Sequence, residues 1–150
     1  MNVELNKQAK LSQHFTLGEL CKTSVKTADG NIPSHVHIEN LRRLCRWLER
    51  LRQRYNNTPI IVNSAYRSPQ VNKAVGGASN SNHLTGCAVD IRCAGIEQAL
   101  RYATILLDIS DERQEDFDEL LLERSPRGTY WLHFAVRPSG NRRKVVFLRA

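Results

Sequence analysis

The sequence has no apolar run long enough to cross a membrane, which removes the bilayer from the expected partners. Its start, Met1-Asn2-Val3-Glu4-Leu5-Asn6-Lys7, has no apolar signal core. The expectation is therefore a chain not exported by the usual signal and cytoplasmic as synthesised. No C-x-x-C spacing links Cys21, Cys45, Cys87 and Cys93, which argues against a thiolate zinc cluster and favours reduced thiols over disulfides. No internal repeat, low-complexity tract or linker interrupts the chain, so residues 1–150 are expected to form one domain, with a monomer as the default. Basic residues are not interleaved with aromatics, which weighs against binding single-stranded nucleic acid.

What is present is an ordinary globular balance: 41% hydrophobic and 25% charged residues, enough for a buried core in 150 residues. The net charge of +7 serves solubility and also attraction to a polyanion, either nucleic acid or an anionic cell wall; charge alone does not choose. It is unevenly placed. Arg42, Arg43, Arg46, Arg50, Arg52 and Arg54 fall on one predicted helix, and Asp108, Asp111, Glu112, Glu115, Asp116, Asp118 and Glu119 crowd a later segment. A helix this rich in arginine is more often a solvated face than a binding patch.

Thr16-Leu17-Gly18-Glu19 has capping-box spacing and predicts a short helix from Thr16. After Pro33-Ser34, Leu41, Leu44, Cys45, Leu48, Leu51 and Tyr55 recur at helical spacing and predict a long core helix to about Tyr55. Ile60 to Asn63 is a β-branched run, expected as a buried strand. Pro69 opens a brief helix to about Val75, and residues 76–82 form a Gly, Ser and Asn loop. Ile96, Ala99, Leu100, Ala103, Leu106 and Leu107 mark a second amphipathic helix. Segments 117–123 and 130–136 predict an antiparallel hairpin with a six-residue connection, and 144–148 a closing edge strand. The class this implies is α+β, with a small, mainly antiparallel sheet.

The densest chemistry lies in Ser81-Asn82-His83-Leu84-Thr85-Gly86-Cys87-Ala88-Val89-Asp90, or S-x-H-x-x-G-x-A-x-D. Gly86 permits a tight turn after His83. The strand that follows would carry Asp90 back toward His83. One imidazole nitrogen and one carboxylate on a rigid turn suit Zn²⁺. His133, in Tyr130-Trp131-Leu132-His133-Phe134-Ala135, is the best third ligand, and alternation puts it on one face with Trp131 and Ala135. Three protein ligands leave a position for water, the layout of a catalytic site. Cys87 is expected to point away from the metal.

These residues resemble the zinc signature of peptidase family M15, the D-alanyl-D-alanine carboxypeptidase and endolysin group, whose fold is shared with the hedgehog signalling domain. The likeness is closest to the family's subfamily-A type of C-terminal domain. His14-Phe15-Thr16-Leu17-Gly18-Glu19-Leu20 is similar to its opening, and Asn63-Ser64-Ala65-Tyr66-Arg67-Ser68-Pro69 to its S-x-Y-R-S-P segment. Val75-Gly76-Gly77 and Trp131-Leu132-His133 follow in the expected order, so the resemblance spans about residues 14 to 137.

The resemblance implies the hedgehog/DD-peptidase fold and a set of roles. His83, Asp90 and His133 would hold zinc. Arg67 would bind a substrate carboxylate or the developing oxyanion. Many members place an acid three residues before the last histidine, where this chain has Tyr130; subfamily-A relatives end the preceding strand with a glutamate, which Glu123 matches. Glu123 is thus the expected general base, with Asp118 in reserve, either Asp118 or Glu119 taking its place if it lies near the zinc instead, and an exposed strand-end charge as its alternative. Ser81 either binds substrate or caps its loop, and Trp131 is a candidate substrate contact. The implied function is zinc-dependent hydrolysis of peptidoglycan stem peptides or crosslinks, as a carboxypeptidase or endopeptidase of a phage- or prophage-type lysin. The alternatives are an inactive zinc-containing binding module of the same fold, and a basic nucleic-acid-binding domain.

Overall fold

A computed structural model describes residues 6–149 of the chain. The first five residues, where the sequence shows no signal core, lie outside the described residues. The expected α+β class holds: helices pack on a five-stranded, mostly antiparallel sheet. No helix among the described residues is long and apolar enough to cross a membrane.

Helix α1 (Leu17–Leu20) starts at the predicted capping box, with Thr16 accepting from the Glu19 amide and Glu19 reaching back to the Thr16 amide. Helix α2 (His35–Arg54) is the long core helix, capped by Ser34. Its apolar face buries Leu41, Leu44, Cys45, Trp47, Leu48 and Leu51. Strand β1 (Val62–Ser64) is shorter than the β-branched run suggested and begins two residues later. The run is not buried throughout: Ile60 and Val62 are buried, but Ile61 between them, just ahead of β1, is exposed. Helix α3 (Pro69–Ala74) has proline in its first turn, where the missing N–H costs nothing. Strand β2 (Ala88–Arg92) leads to α4 (Ile96–Arg113), which runs two turns past the last leucine of its predicted stripe. Strands β3 (Glu119–Arg124) and β4 (Tyr130–Ala135) form the predicted hairpin, and β5 (Lys144–Arg149) closes the sheet.

The strand order is β1-β2-β4-β3-β5, antiparallel throughout except for the β3–β5 pair, which is parallel. Alternation sorts the two faces. Val89, Ile91, Leu120, Leu122, Leu132 and Phe134 join the core beneath α2 and α4, where Phe134 stacks against Trp47 at 5.2 Å and Phe117 at 5.6 Å. Ser64, Asp90, His133 and Leu121 are successive cross-strand partners on the opposite face. A slip of one residue in any of these pairings would exchange apolar and polar faces, so the core fixes the polar row.

The uneven charge of the sequence resolves into an interface. Arg54 pairs with Glu112 in the last turn of α4 and Arg50 with Glu115, just past its end, at 3.4 Å, so the basic face of α2 meets the acidic C-terminal end of α4 and the residues that follow it. All four cysteines are buried and free, as expected for reduced thiols.

Asp118 anchors the segment between β4 and β5. Its carboxylate is fully enclosed and accepts from Arg142 Nε at 3.0 Å, Arg142 Nη2 at 2.9 Å and Asn82 Nδ2 at 2.8 Å, with Arg137 Nε at 3.2 Å. Burial pushes this carboxyl up, but the bonds from Arg142 and Asn82 outweigh it and hold it below the ordinary carboxylate range. A depressed folded value means stability that is present above the unfolded pKa, about 4, and lost as pH falls through the folded value. Asp118→Asn should therefore lower stability by about 1–3 kcal/mol at neutral pH, the range for hydrogen bonds to a buried charged group whose arginine partners are themselves partly exposed, and flatten the acid limb of a plot of melting temperature against pH. An unchanged acid limb would show that the network contributes nothing to folding.

Candidate metal centre

His83, Asp90 and His133 converge, each offering a ligand atom within 4.8 Å of the others. Asp90 and His133 are direct partners across the β2–β4 pair. His83 comes from a separate 3₁₀ turn, Asn82–Thr85, capped by Ser81, whose Oγ accepts from the His83 amide at 3.1 Å. The turn ends at Gly86 with φ of +75°, and a Cβ there would stand 2.7 Å from the His37 carbonyl oxygen. Both the left-handed backbone and the close approach of α2 require glycine. Asn40 on α2 fixes the same turn by donating to the Thr85 carbonyl at 2.9 Å.

Each candidate ligand is held by its other polar atoms. His83 Nδ1 donates to the Ala65 carbonyl at 2.6 Å, which leaves Nε2, 3.3 Å from Asp90 Oδ2, facing the centre. His133 Nε2 donates to Glu119 Oε1 at 3.1 Å, which leaves Nδ1, 3.0 Å from Asp90 Oδ1. The imidazole rings lie nearly edge to face at 5.2 Å. Arg67 Nη2 donates to Asp90 Oδ2 at 3.3 Å. This pattern, in which each histidine uses one nitrogen for an outer acceptor, selects the tautomer that ligates.

Electrostatics agree. Burial pushes the Asp90 carboxyl up, but the charges and hydrogen bonds of His83 and His133 outweigh it and hold it well below the usual range. The bond from His133 lowers Glu119 to about 2 against its burial. Burial lowers His133, yet Asp90 and Glu119 together raise it to about 9. Two carboxylates that favour a proton on this ring also favour a divalent cation beside it. Two imidazoles and one carboxylate on the floor of an open cleft, with no thiolate among the ligands, fit zinc in a catalytic site. Cys87 is buried and its thiol lies 4.0 Å from the Thr85 carbonyl, apart from the ligand set as expected.

A sequence model described as Peptidase M15 matches residues 13–117. The chain belongs to the M15 peptidase family. It is 33% identical over 78 residues to the zinc D-Ala-D-Ala carboxypeptidase of Streptomyces albus G, a match covering 52% of this chain and 31% of that protein. The chain thus aligns with less than a third of that relative's length. The matched family span contains Arg67, Ser81, His83 and Asp90 but ends at Phe117. His133 therefore enters the site on geometry, through its pairing with Asp90.

The remaining expected residues fall around the same cleft, which has a volume of about 570 Å³. Arg67, Ser81, Glu123 and Trp131 all line it. Glu123 is the cross-strand partner of Trp131, two residues along from the Leu121–His133 pair and on the same face. Ser81 caps its turn while facing the cleft, which is compatible with both roles considered for it. Asp118, the reserve base, is enclosed with both oxygens engaged. Glu119, the further acid beside Asp118 that could stand in for Glu123, has its bond to His133 and one from Asn82 Nδ2 at 2.7 Å, which make it the outer support of that imidazole. Its signal was its alternation with Glu123, since i and i+4 share a face of a strand.

Removing that support should be measurable. Glu119→Ala is expected to weaken zinc binding about 10- to 100-fold in competition with a chromophoric chelator. His83→Ala should remove stoichiometric zinc altogether. Full zinc content in the His83 variant would show that this cluster is not the metal site.

Proposed function

We propose that this chain is a zinc-dependent peptidase that hydrolyses peptide bonds in peptidoglycan stem peptides or crosslinks. One observation carries the reading: in a member of the M15 family, three ligand residues, an arginine and a glutamate line a single open cleft. The similarity to a protein named as a zinc D-Ala-D-Ala carboxypeptidase supports the substrate class. Zinc, when held by three protein ligands, lowers the pKa of water and polarises a carbonyl.

The chain's own residues supply the rest. His83, Asp90 and His133 would hold the ion, with Ala65 and Glu119 fixing the two rings. Arg67 directs free N–H groups at the scissile carbonyl oxygen or at a terminal carboxylate, where charge develops. Glu123 accepts a proton from the attacking water and delivers it to the leaving amine. The indole of Trp131 forms one wall against which the peptide packs. No side chain acts as a nucleophile, so no acyl-enzyme forms.

A glutamate in the cleft favours a working enzyme over an inactive zinc module. The pairing of Arg54 with Glu112 on α4 and of Arg50 with Glu115 just beyond it favours a solvated α2 face over a nucleic-acid surface. A lysin of phage or prophage type, acting on the wall after release from the cell, fits this chemistry.

The test is incubation with purified peptidoglycan, with and without chelator, followed by mass analysis of the fragments. Release of D-alanine or opening of crosslinks, abolished by chelator and restored by zinc, is expected. Glu123→Gln should keep zinc and lower hydrolysis by roughly 10²- to 10⁴-fold. Arg67→Lys keeps charge but loses the planar fork, and should also impair turnover. No fragment release by the zinc-loaded parent would refute the peptidase reading.

A further inference from the structure

The guanidinium of Arg67 is held from three sides. Nε donates to Ser64 Oγ at 3.1 Å, Nη2 to Asp90 Oδ2 at 3.3 Å, and Nη1 to Asn72 Oδ1 at 3.4 Å. Of its five N–H donors these bonds engage three, leaving one on each terminal nitrogen. Arg67 lines the cleft, so one further donor on each terminal nitrogen is available to an oxygen of a carboxylate or carbonyl bound there.

Ser64 and Asp90 belong to the sheet. Asn72 does not: it lies on α3, 4% exposed, and its orientation is fixed by a device of its own. Asn72 Nδ2 donates to the Ala78 carbonyl at 2.9 Å, so Oδ1 must face Arg67; the flipped amide would set oxygen against oxygen and N–H against N–H. The Gly77 amide donates to the Asn72 carbonyl at 2.9 Å, closing the loop onto the end of α3. A Cβ on Gly77 would lie 2.0 Å from Asn72 Oδ1 and 2.7 Å from its Cγ. The bare Cα of Gly77 is what allows this amide to sit where it does.

We propose that Asn72, seated by Gly77 and Ala78, is a positioning residue that locks the Arg67 guanidinium so that its two free N–H groups face the cleft. Only the kinetic consequence rests on the peptidase reading; the immobilisation of Arg67 stands apart from it. Misplacing an electrophile by about 1 Å costs about 100-fold in rate.

The experiment follows the Arg67 side-chain N–H signals by NMR in the full, zinc-supplied chain, alongside zinc content and kinetics. A locked guanidinium rotates slowly and shows separate Nη signals. In Asn72→Ala these signals should merge, zinc content should stay, and kcat should fall about 10- to 100-fold with a smaller change in KM. Gly77→Ala should merge them when Asn72 is present and add nothing in the Asn72→Ala background, where the methyl has room. Separate signals surviving in Asn72→Ala, or additive effects of the two substitutions, would overturn the proposal. A parent chain without hydrolytic activity would refute the peptidase reading, while the NMR result and the double substitution would still decide this one.

Discussion

The pairing of Asp90 with His133 across β2 and β4 is the constraint on which the site depends. It is one rung of a ladder whose neighbouring rungs, Val89 with Phe134 and Ile91 with Leu132, are buried under α2 and α4. The core can be satisfied in only one register, because a slip of one residue would expose Phe134 and bury His133 against Trp47. Apolar packing on one face thereby sets the separation of two candidate metal ligands on the other. His83 then needs only a short turn to reach them, and Gly86 makes that turn possible where α2 comes within contact of the backbone.

Around this rung the polar groups form a connected network. Ala65 and Glu119 take the outer nitrogens of the two histidines, Asn82 joins Glu119 to Asp118, and Asp118 gathers Arg137 and Arg142 from the segment leading to β5. Buried polar groups are costly unless satisfied, so such a network holds as a unit. Its charges alternate in sign from the centre outward: cation site, Asp90 and Glu119, then Arg67 and Arg142. A divalent cation at the centre completes that alternation.

Much of this was legible in the sequence, for identifiable reasons. The α2 stripe and the Thr16 capping box have local signatures, and both appear within a residue of the expected bounds. The S-x-H-x-x-G-x-A-x-D spacing specified a turn and a strand, so His83 and Asp90 could be placed before any fold was known. What was not legible depends on pairing between distant strands. The parallel β3–β5 pair leaves no period-2 trace that distinguishes it from an antiparallel one. The meeting of α2 arginines with acids at and just past the end of α4 is tertiary, as is the contact of Glu119 with His133. Asn72 and Gly77 lie within ten residues of Arg67 in the chain, yet their close approach is a property of the loop's path and not of its composition.

The central claim is that two imidazoles and one carboxylate, and no thiolate, form the metal centre. X-ray absorption at the zinc edge of the loaded protein tests it most directly. The account predicts a first shell of nitrogen and oxygen only, at about 2.0–2.2 Å, with the outer-shell scattering of two imidazole rings. A sulfur scatterer at about 2.3 Å, or a shell without imidazole, would contradict it.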